Sequence, residues 1–310
     1  MDVSIIIVNL NAGRLLEDCL ASIYACTSDV SVEIIVVDNH SSDGSAAMVK
    51  AKFPQVRLVE NPYNRRYAIA NNQGLALARG RCVLYLNNDI LLHGNTIREL
   101  YEFLEMHSNA GGVGGRLISA DGGHQDSCFR FPSAFNLFYL VCLARFYWQT
   151  PLAGKYAADE LAMARPVDFV VGACFMARRD LLEQCQGMDA DFYLYGEDSD
   201  LCYRMQQRGW TVWYLPTSAP VVHYGGASTT QLFGDHSQER LLWGWKARFL
   251  FVKKHASFWQ KLGILAGMVA GFGVNVLLYS LACCKRWDFT STRRHLRFHW
   301  TITREAFRIF

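Results

Sequence analysis

The chain has 310 residues (35.2 kDa), 51% hydrophobic and 19% charged, with 31 Lys and Arg against 28 Asp and Glu and a formal net charge of +3. This composition excludes a disordered, collagenous or low-complexity chain, and so even a charge balance excludes a dedicated nucleic-acid binder, whose domain is strongly basic. A mean hydropathy of +0.04 is high for a soluble enzyme and low for a multi-span membrane protein, which suits a soluble body carrying one strongly apolar stretch.

Ile5–Val8 is a wholly apolar, β-branched run, the pattern of a strand covered on both faces. Leu15, Leu16, Cys19, Leu20, Ile23 and Tyr24 then share one helical face. Glu33–Val37 predicts a second strand ending at Asp38, and Ser41–Ser45 offers turn and N-cap residues for a helix over 45–52. Val56–Val59 reads as a third strand. A helix from Tyr67 to Arg79, closed by Gly80, precedes a fourth strand at Cys82–Leu86. Ile97, Leu100, Tyr101 and Leu104 mark another helix. Strands alternating with helices of this length imply a parallel sheet of βα units.

After Val113 the order loosens. Residues 116–164 are loop-rich and aromatic, with an apolar stretch at 135–148. Two strands are expected within 168–177, helices from Arg179 and over Asp200–Gln207, and a strand at Trp210–Leu215. Gly111–Gly115 is glycine-rich but precedes a strand instead of linking strand to helix. Neither the G-x-G-x-x-G fingerprint nor a G-x-x-x-x-G-K-[ST] loop is present, which excludes a Rossmann dehydrogenase and a P-loop nucleotidase.

A second region is expected over 241–310, set apart from a catalytic domain over 1–240. Leu262–Cys284 is uncharged and long enough to cross a hydrocarbon core of roughly 30 Å, yet Lys and Arg flank it on both sides, which conflicts with a single crossing under the positive-inside rule. A re-entrant or in-plane helix keeps both flanks on the cytoplasmic face; a buried core helix is the ordinary alternative. Phe258, Trp259, Trp287 and Trp300 suit an interface. The ten cysteines form no C-x-x-C pair and no zinc spacing, so they read as reduced and structural. No secretory signal is visible at Met1–Ser4. Together these place the catalytic body in the cytosol.

In an open α/β sheet, ligands bind beyond the carboxyl ends of the strands. Three predicted strands end in Asn9, in Asp38-Asn39 and in Asn87-Asn88-Asp89. Each alone is an ordinary turn residue; together they line one crevice. Asp89 is a hard oxygen donor suited to magnesium or manganese, an ion whose coordination a diphosphate completes. Glu197-Asp198-Ser199-Asp200 packs three carboxylates into four residues, which raises at least one pKa and is one way to make a general base. The ordinary reading is a helix N-terminus, with Asp200 as its N-cap. His223 closes the strand-like run 220–222 and is either a structural histidine or a metal ligand beside Asp89.

These residues resemble glycosyltransferase family 2, with its GT-A fold, and more narrowly its bacterial rhamnosyltransferase-like branch. The matching blocks are Ser4–Asn11, Val36–Ser45, Asn61-Pro62-Tyr63-Asn64, Ala70–Gly74, Leu86–Asp89, Val171–Phe175 and Gly196–Leu201. The resemblance implies an α/β fold: a GT-A (Rossmann-like) mixed sheet flanked by helices, here followed by a membrane-associated helical segment. It implies a nucleoside-diphosphate sugar held by Asn9, Asp38, Asn39, Ser41, Asn64, Arg65, Asn72, Asn88, Gly172 and Glu197. It further implies a divalent metal, Mg or Mn, at Asp89 and His223, and Asp198 as catalytic base. The activity implied is inverting transfer of a sugar, rhamnose among the candidates, to a hydroxyl of a glycan or lipid-linked acceptor at the cytoplasmic face of a membrane, the bacterial inner membrane, with no nucleic-acid partner. The alternative is a non-catalytic, membrane-tethered nucleotide-sugar binder. Asn87 replaces the first acid of the family's D-x-D motif, and two further departures stand out: Leu10 stands where the family usually has Tyr or a similar residue, and Arg66 stands where glycine is common. If position 66 needs φ > 0, arginine is costly there; alternatively Arg65 or Arg66 supplies charge to the diphosphate.

Overall fold

The computed structural model describes residues 1–27, 29–142, 154–225, 238–286 and 289–310, with backbone alone at 134, 138, 141–142, 278–286, 289–292, 294 and 295. Residues 143–148 of the apolar stretch, Trp287, and the side chains of Cys142, Cys283 and Cys284 lie outside the described set. The chain divides into two compact units: Met1–Phe129 with Ala158–Asp235, and Arg130–Ala157 with His236–Phe310.

In the first unit the elements run β1 (Val3–Asn9), α1 (Gly13–Cys26), β2 (Val32–Asp38), α2 (Ser45–Lys52), β3 (Arg57–Glu60), α3 (Tyr67–Leu75), β4 (Cys82–Leu86), β5 (Ile90–Leu91), α4 (Thr96–Met106), β6 (Ala110–Gly115), β7 (Leu117–Ile118), β8 (His124–Gln125) and β9 (Cys128–Phe129). The second unit interposes α5 (Ala134–Cys142). The first then resumes with β10 (Arg165–Val167), β11 (Phe169–Val170), β12 (Cys174–Arg178), α6 (Arg179–Gln184), α7 (Glu197–Gln206), β13 (Thr211–Leu215) and β14 (Val221–His223). The main sheet has the order β10-β13-β6-β12-β4-β1-β2-β3. β3, β2, β1 and β4 are parallel, β12 is antiparallel to both of its neighbours, and β13 runs parallel to β6. This is the mixed, helix-flanked sheet expected from the resemblance. Ile5, Ile7, Val36, Leu84 and Met176 meet Leu16, Leu20, Ile23, Leu100 and Leu104 of the helices in one core. The continuous apolar runs of β1, β2 and β4 follow from burial on both faces.

Two local expectations need correction. α3 ends at Leu75, not Arg79: Leu77 N–H bonds Gly74 O and Ala78 N–H bonds Leu75 O, a tightening into i→i+3 turns. Gly80 must then pass β1 so closely that a Cβ would lie 2.5 Å from Ser4 N. The glycine run 111–115 is itself the buried strand β6. A Cβ at Gly111, Gly112 or Gly114 would meet Leu181, Phe175 or Val170 at 2.5–2.9 Å, so neighbouring side chains fill the space that β6 leaves.

A second sheet, β5-β14-β7-β8, and the pair β11-β9 complete the first unit. The second unit packs α5 with α8 (Gln238–His255), α9 (Phe258–Arg286) and α10 (Phe289–Ile309), around Leu137, Phe249, Val252, Ile264, Met268, Ile302 and Ala306. Phe258–Leu277 in α9 is long and apolar enough to cross a membrane by length and composition. The seven described cysteines are free thiols.

Candidate active site

Asn9 and Asp38 are register partners at the carboxyl ends of β1 and β2. The Asn9 amide donates to Asp38 Oδ1 (2.9 Å) and Ser41 Oγ (3.0 Å), while its carbonyl accepts from Asn88 Nδ2 (3.0 Å). Ser41 N–H donates to Asp38 Oδ2 at 2.9 Å. Asn9 is 0% exposed and fixes the tips of three strands, and a buried polar group bonded on every side rigidifies the place it occupies. Asn88, also buried, belongs to the same brace.

Asn39 organises the next loop. Its carbonyl accepts from Asn61 Nδ2 and Arg65 N–H, both at 3.0 Å, and its amide donates to Asn64 Oδ1 (3.1 Å) and Arg66 O (3.3 Å). Asn64 Oδ1 in turn accepts Arg66 N–H at 2.9 Å. Arg66, the residue entering α3, has φ +70° and ψ 164°, a region essentially reserved for glycine and costing about 1–3 kcal/mol for other residues. The positive φ is thus a property of this loop, and arginine carries it. Its guanidinium lies over the Tyr193 ring, 4.8 Å from the centroid, which returns part of the cost. Arg65 is partly buried, 5.5 Å over the exposed Tyr63 ring. Asn72 sits apart from these tips: both polar atoms of its amide bond the Met188 backbone at 2.7 and 2.8 Å, splinting α3 to the loop after α6.

Past β4 the side chains alternate, so Asn88 turns inward to Asn9 while Asn87 and Asp89 share the other side. β5 follows Asp89 directly, and β14 pairs with it so that His223 lies opposite Ile90. This brings His223 Nε2 to 3.3 Å from Asp89 Oδ1. His223 Nδ1 lies 2.8 Å from Gln125 Oε1 in β8. That carbonyl can only accept, so Nδ1 carries a proton and Nε2 is the nitrogen that faces Asp89 and Asn87, whose Nδ2 is 3.3 Å away. Two cis ligands of an octahedral ion at about 2.1 Å stand about 3 Å apart. Asp89 Oδ1 and His223 Nε2 therefore fit a divalent ion in spacing and donor type, with Gln125 as the outer partner that ligating histidines require. No group of three or more His, Cys, Asp or Glu side chains among the described residues would hold a metal alone, so the remaining ligands of such an ion fall to phosphate oxygens and water.

Because β12 runs antiparallel to β4, with Cys174 opposite Leu86, Gly172 arrives at the same edge. Asn87 Oδ1 accepts the Tyr67 hydroxyl at 3.0 Å, the Gly172 carbonyl also lies within 3.3 Å of that hydroxyl, and Gly172 N–H donates to Asp198 Oδ2 at 3.2 Å. A path of short polar contacts thus runs from Asp89 and His223 through Asn87, Tyr67 and Gly172 to Asp198. Burial, and after it the Glu197 carboxyl, holds the Tyr67 phenol far above its ordinary pKa, so it stays a donor.

Asp198 is the second residue of α7, behind the N-cap Gly196 (φ +90°), and its Oδ1 accepts Ser199 N–H at 2.7 Å. Donors and the helix dipole at this end favour a carboxylate. Glu197 is buried, and that burial, with Asp198 next, pushes its pKa up to about 8. Asp200 is not the N-cap. It is fully buried in the first turn and pairs with Arg204 at 2.7 Å, whose guanidinium also donates to the Cys185 and Gly187 carbonyls; its work is structural.

Sequence reading left Tyr67, Asn61 and Gln125 without roles. Asn61 lay inside a quoted motif. The contacts of Tyr67 and Gln125 join residues about 100 apart in the chain and have no local signature.

A family model for glycosyl transferase family 2 matches residues 4–186, more than half of the chain. The N-acetylglucosaminyl-diphospho-decaprenol L-rhamnosyltransferase of Mycobacterium tuberculosis is 27% identical over 269 residues, 83% of this chain and 86% of its own. The low-salt glycan biosynthesis hexosyltransferase of Haloferax volcanii is 28% identical over 210 residues, 66% of this chain and 62% of its own. Among solved structures, the mannosyltransferase PcManGT from Pyrobaculum calidifontis, in complex with GDP-Man and Mn2+, superposes with a TM-score of 0.58 at 18% identity, covering 98% of this chain and 85% of that one. S. aureus TarS gives 0.53 at 14% identity, covering 99% and 91%. These distant likenesses establish the GT-A fold. A family match of that extent, on the sheet such enzymes share, makes the chain a member of glycosyl transferase family 2 and the protein a glycosyltransferase.

Proposed function

We propose that the protein transfers a sugar, rhamnose in the first instance, from a nucleoside diphosphate to a hydroxyl of a lipid-linked glycan, with inversion at the anomeric carbon. The observation that carries this reading is the unbroken polar path from Asp89 and His223 to Asp198. In this reading the two ends of the path, within one unit, serve the diphosphate and the acceptor. The choice of sugar and carrier follows the mycobacterial relative, which is named as a rhamnosyltransferase acting on a decaprenol diphosphate.

In this mechanism Asp38, Asn39 and Ser41 receive the nucleoside, with Asn9 and Asn88 holding them in place. Arg65, Asn64 and the loop to Arg66 face the diphosphate, where positive charge offsets what develops on the leaving group. Asp89 and His223 would hold a magnesium or manganese ion, which supplies Lewis-acid stabilisation of the departing diphosphate. An acceptor hydroxyl is a weak nucleophile at neutral pH, so Asp198 Oδ takes its proton as oxygen attacks the anomeric carbon. The glycosyl centre passes through an oxocarbenium-like state, and one displacement inverts it. Glu197, whose pKa burial pushes up to about 8, holds its proton at neutral pH and does not compete with Asp198 for the one the acceptor releases. The helices α8 to α10 form the membrane-associating region at the cytoplasmic face, through the exposed apolar side of α9.

The test is transfer from nucleoside-diphosphate rhamnose to a polyprenyl-diphosphate N-acetylglucosamine, with product anomeric configuration read by NMR. Asp198→Asn should lower turnover about 10²–10⁴-fold with donor Kd within a few-fold. Near wild-type turnover in that variant, or a product of retained configuration, would refute the mechanism.

A further inference from the structure

Charge is distributed unevenly along the chain. Residues 236–310 carry 13 Lys and Arg against three Asp and Glu, whereas the whole chain is only +3. In α10 this excess is ordered. Phe298, Ile302, Ala306 and Ile309 face the core of the second unit. The opposite side shows Arg293, Arg297, Trp300, Arg304, Phe307 and Arg308 exposed, six residues that fall within an arc of about 100° at about 100° per residue. Trp300 and Phe307 are 52% and 55% exposed. Arg308 pairs with Glu305 at 3.1 Å, while the side chains of Arg293, Arg297 and Arg304 make no ion pair among the described residues. Four guanidinium groups on one face repel each other, and two large rings cost hydration when left in water. Trp300 packs one side on Phe272 of α9, with ring centroids 5.5 Å apart, and still leaves half its surface in water.

We infer that this face of α10 docks on an anionic lipid surface, its arginines pairing with headgroup phosphates and its two rings entering the interface. Arginine forks match phosphate oxygens, and tryptophan and phenylalanine between basic residues suit the headgroup level. A nucleic acid would satisfy the arginines equally well. It would have no use for Phe258, Trp259, Leu262 and Leu277, exposed on α9 of the same unit; a lipid surface accepts both sets. The inference rests on the proposed membrane association of this unit, and adds that headgroup charge selects the surface.

The experiment is flotation of the full-length protein with phosphatidylcholine vesicles and with equimolar phosphatidylcholine–phosphatidylglycerol vesicles, at low and high salt. Each arginine near an anionic surface contributes about five-fold in partition. Arg293→Gln/Arg297→Gln/Arg304→Gln should therefore lose roughly 100-fold on the anionic vesicles and little on the neutral ones. The corresponding triple Lys variant should keep most of the binding and shows that loss in the Gln variant is not misfolding; donor hydrolysis in detergent should be unchanged in both. Salt should erase the wild-type preference. Equal wild-type binding to both vesicle types would overturn the headgroup inference and leave membrane association standing. No binding to either would overturn both. Wild-type partition by the Gln variant, or loss only of oligonucleotide retention, would also refute it.

Discussion

Glu197→Gln isolates a single buried proton. In the native protein burial lifts the Glu197 pKa from its ordinary 4.5 to about 8, against the helix N-terminus that favours the anion. The folded state therefore holds a proton that the unfolded chain releases above pH 4.5, so this group's contribution is complete below pH 4.5 and declines as pH rises to about 8. At about 1.4 kcal/mol per factor of ten, the loss is about 3 kcal/mol at pH 7 and about 5 kcal/mol above pH 8. Glutamine has the shape of the protonated acid and nothing to release. The variant should match wild type in urea midpoint at pH 4.5, exceed it by up to about 3 kcal/mol at pH 7, and widen the gap to pH 8. A gain that does not vary with pH, or a variant less stable than wild type at pH 8, would show that Glu197 is ionised in the native state and that burial does not dominate its environment.

Three further outcomes follow from the same geometry. Gln125→Leu removes the acceptor that holds His223 Nδ1 protonated, and Mn2+ affinity measured by calorimetry with nucleoside diphosphate present should fall about 10–100-fold with unfolding unaltered; undiminished affinity would remove Gln125 from that part. Arg66→Gly relieves the φ +70° strain at the loss of the Tyr193 stack, for a net gain of about 1 kcal/mol in urea stability and a raised donor KM; a variant clearly less stable than wild type would mean that the loop is not strained. Gly112→Val drives a side chain into the Phe175 ring, which a Cβ alone would approach to 2.5 Å. It should cost about 3 kcal/mol or more, partly recovered by adding Phe175→Leu, and a neutral thermal melt for the single variant would contradict the packing described for β6.

The parallel half of the sheet was readable because its causes are local. A β-branched run ending in a polar residue is a buried strand with its tip at an edge, and β1, β2 and β4 each end within a residue of where that pattern stops. The same holds for α2, whose bounds follow from turn residues and the polar stretch behind them. The resemblance implies Asp89 and His223 as metal ligands and Asp198 as base, and these three residues lie along one path of polar contacts. What the sequence could not disclose depends on pairings between distant, very short strands. β5, β8 and β14 have two or three residues each, too few to show a period, yet they alone bring Gln125, His223 and Asp89 together. β6 lacks side chains of its own and owes its place to Phe175, Leu181 and Val170 arriving from elsewhere. Asp200 and Asp198 are two residues apart in an acidic run and chemically alike. Only burial against Arg204 makes one structural, and only the antiparallel entry of β12, carrying Gly172, turns the other toward the site, because burial and orientation are set by the assembled sheet and not by neighbours in the chain.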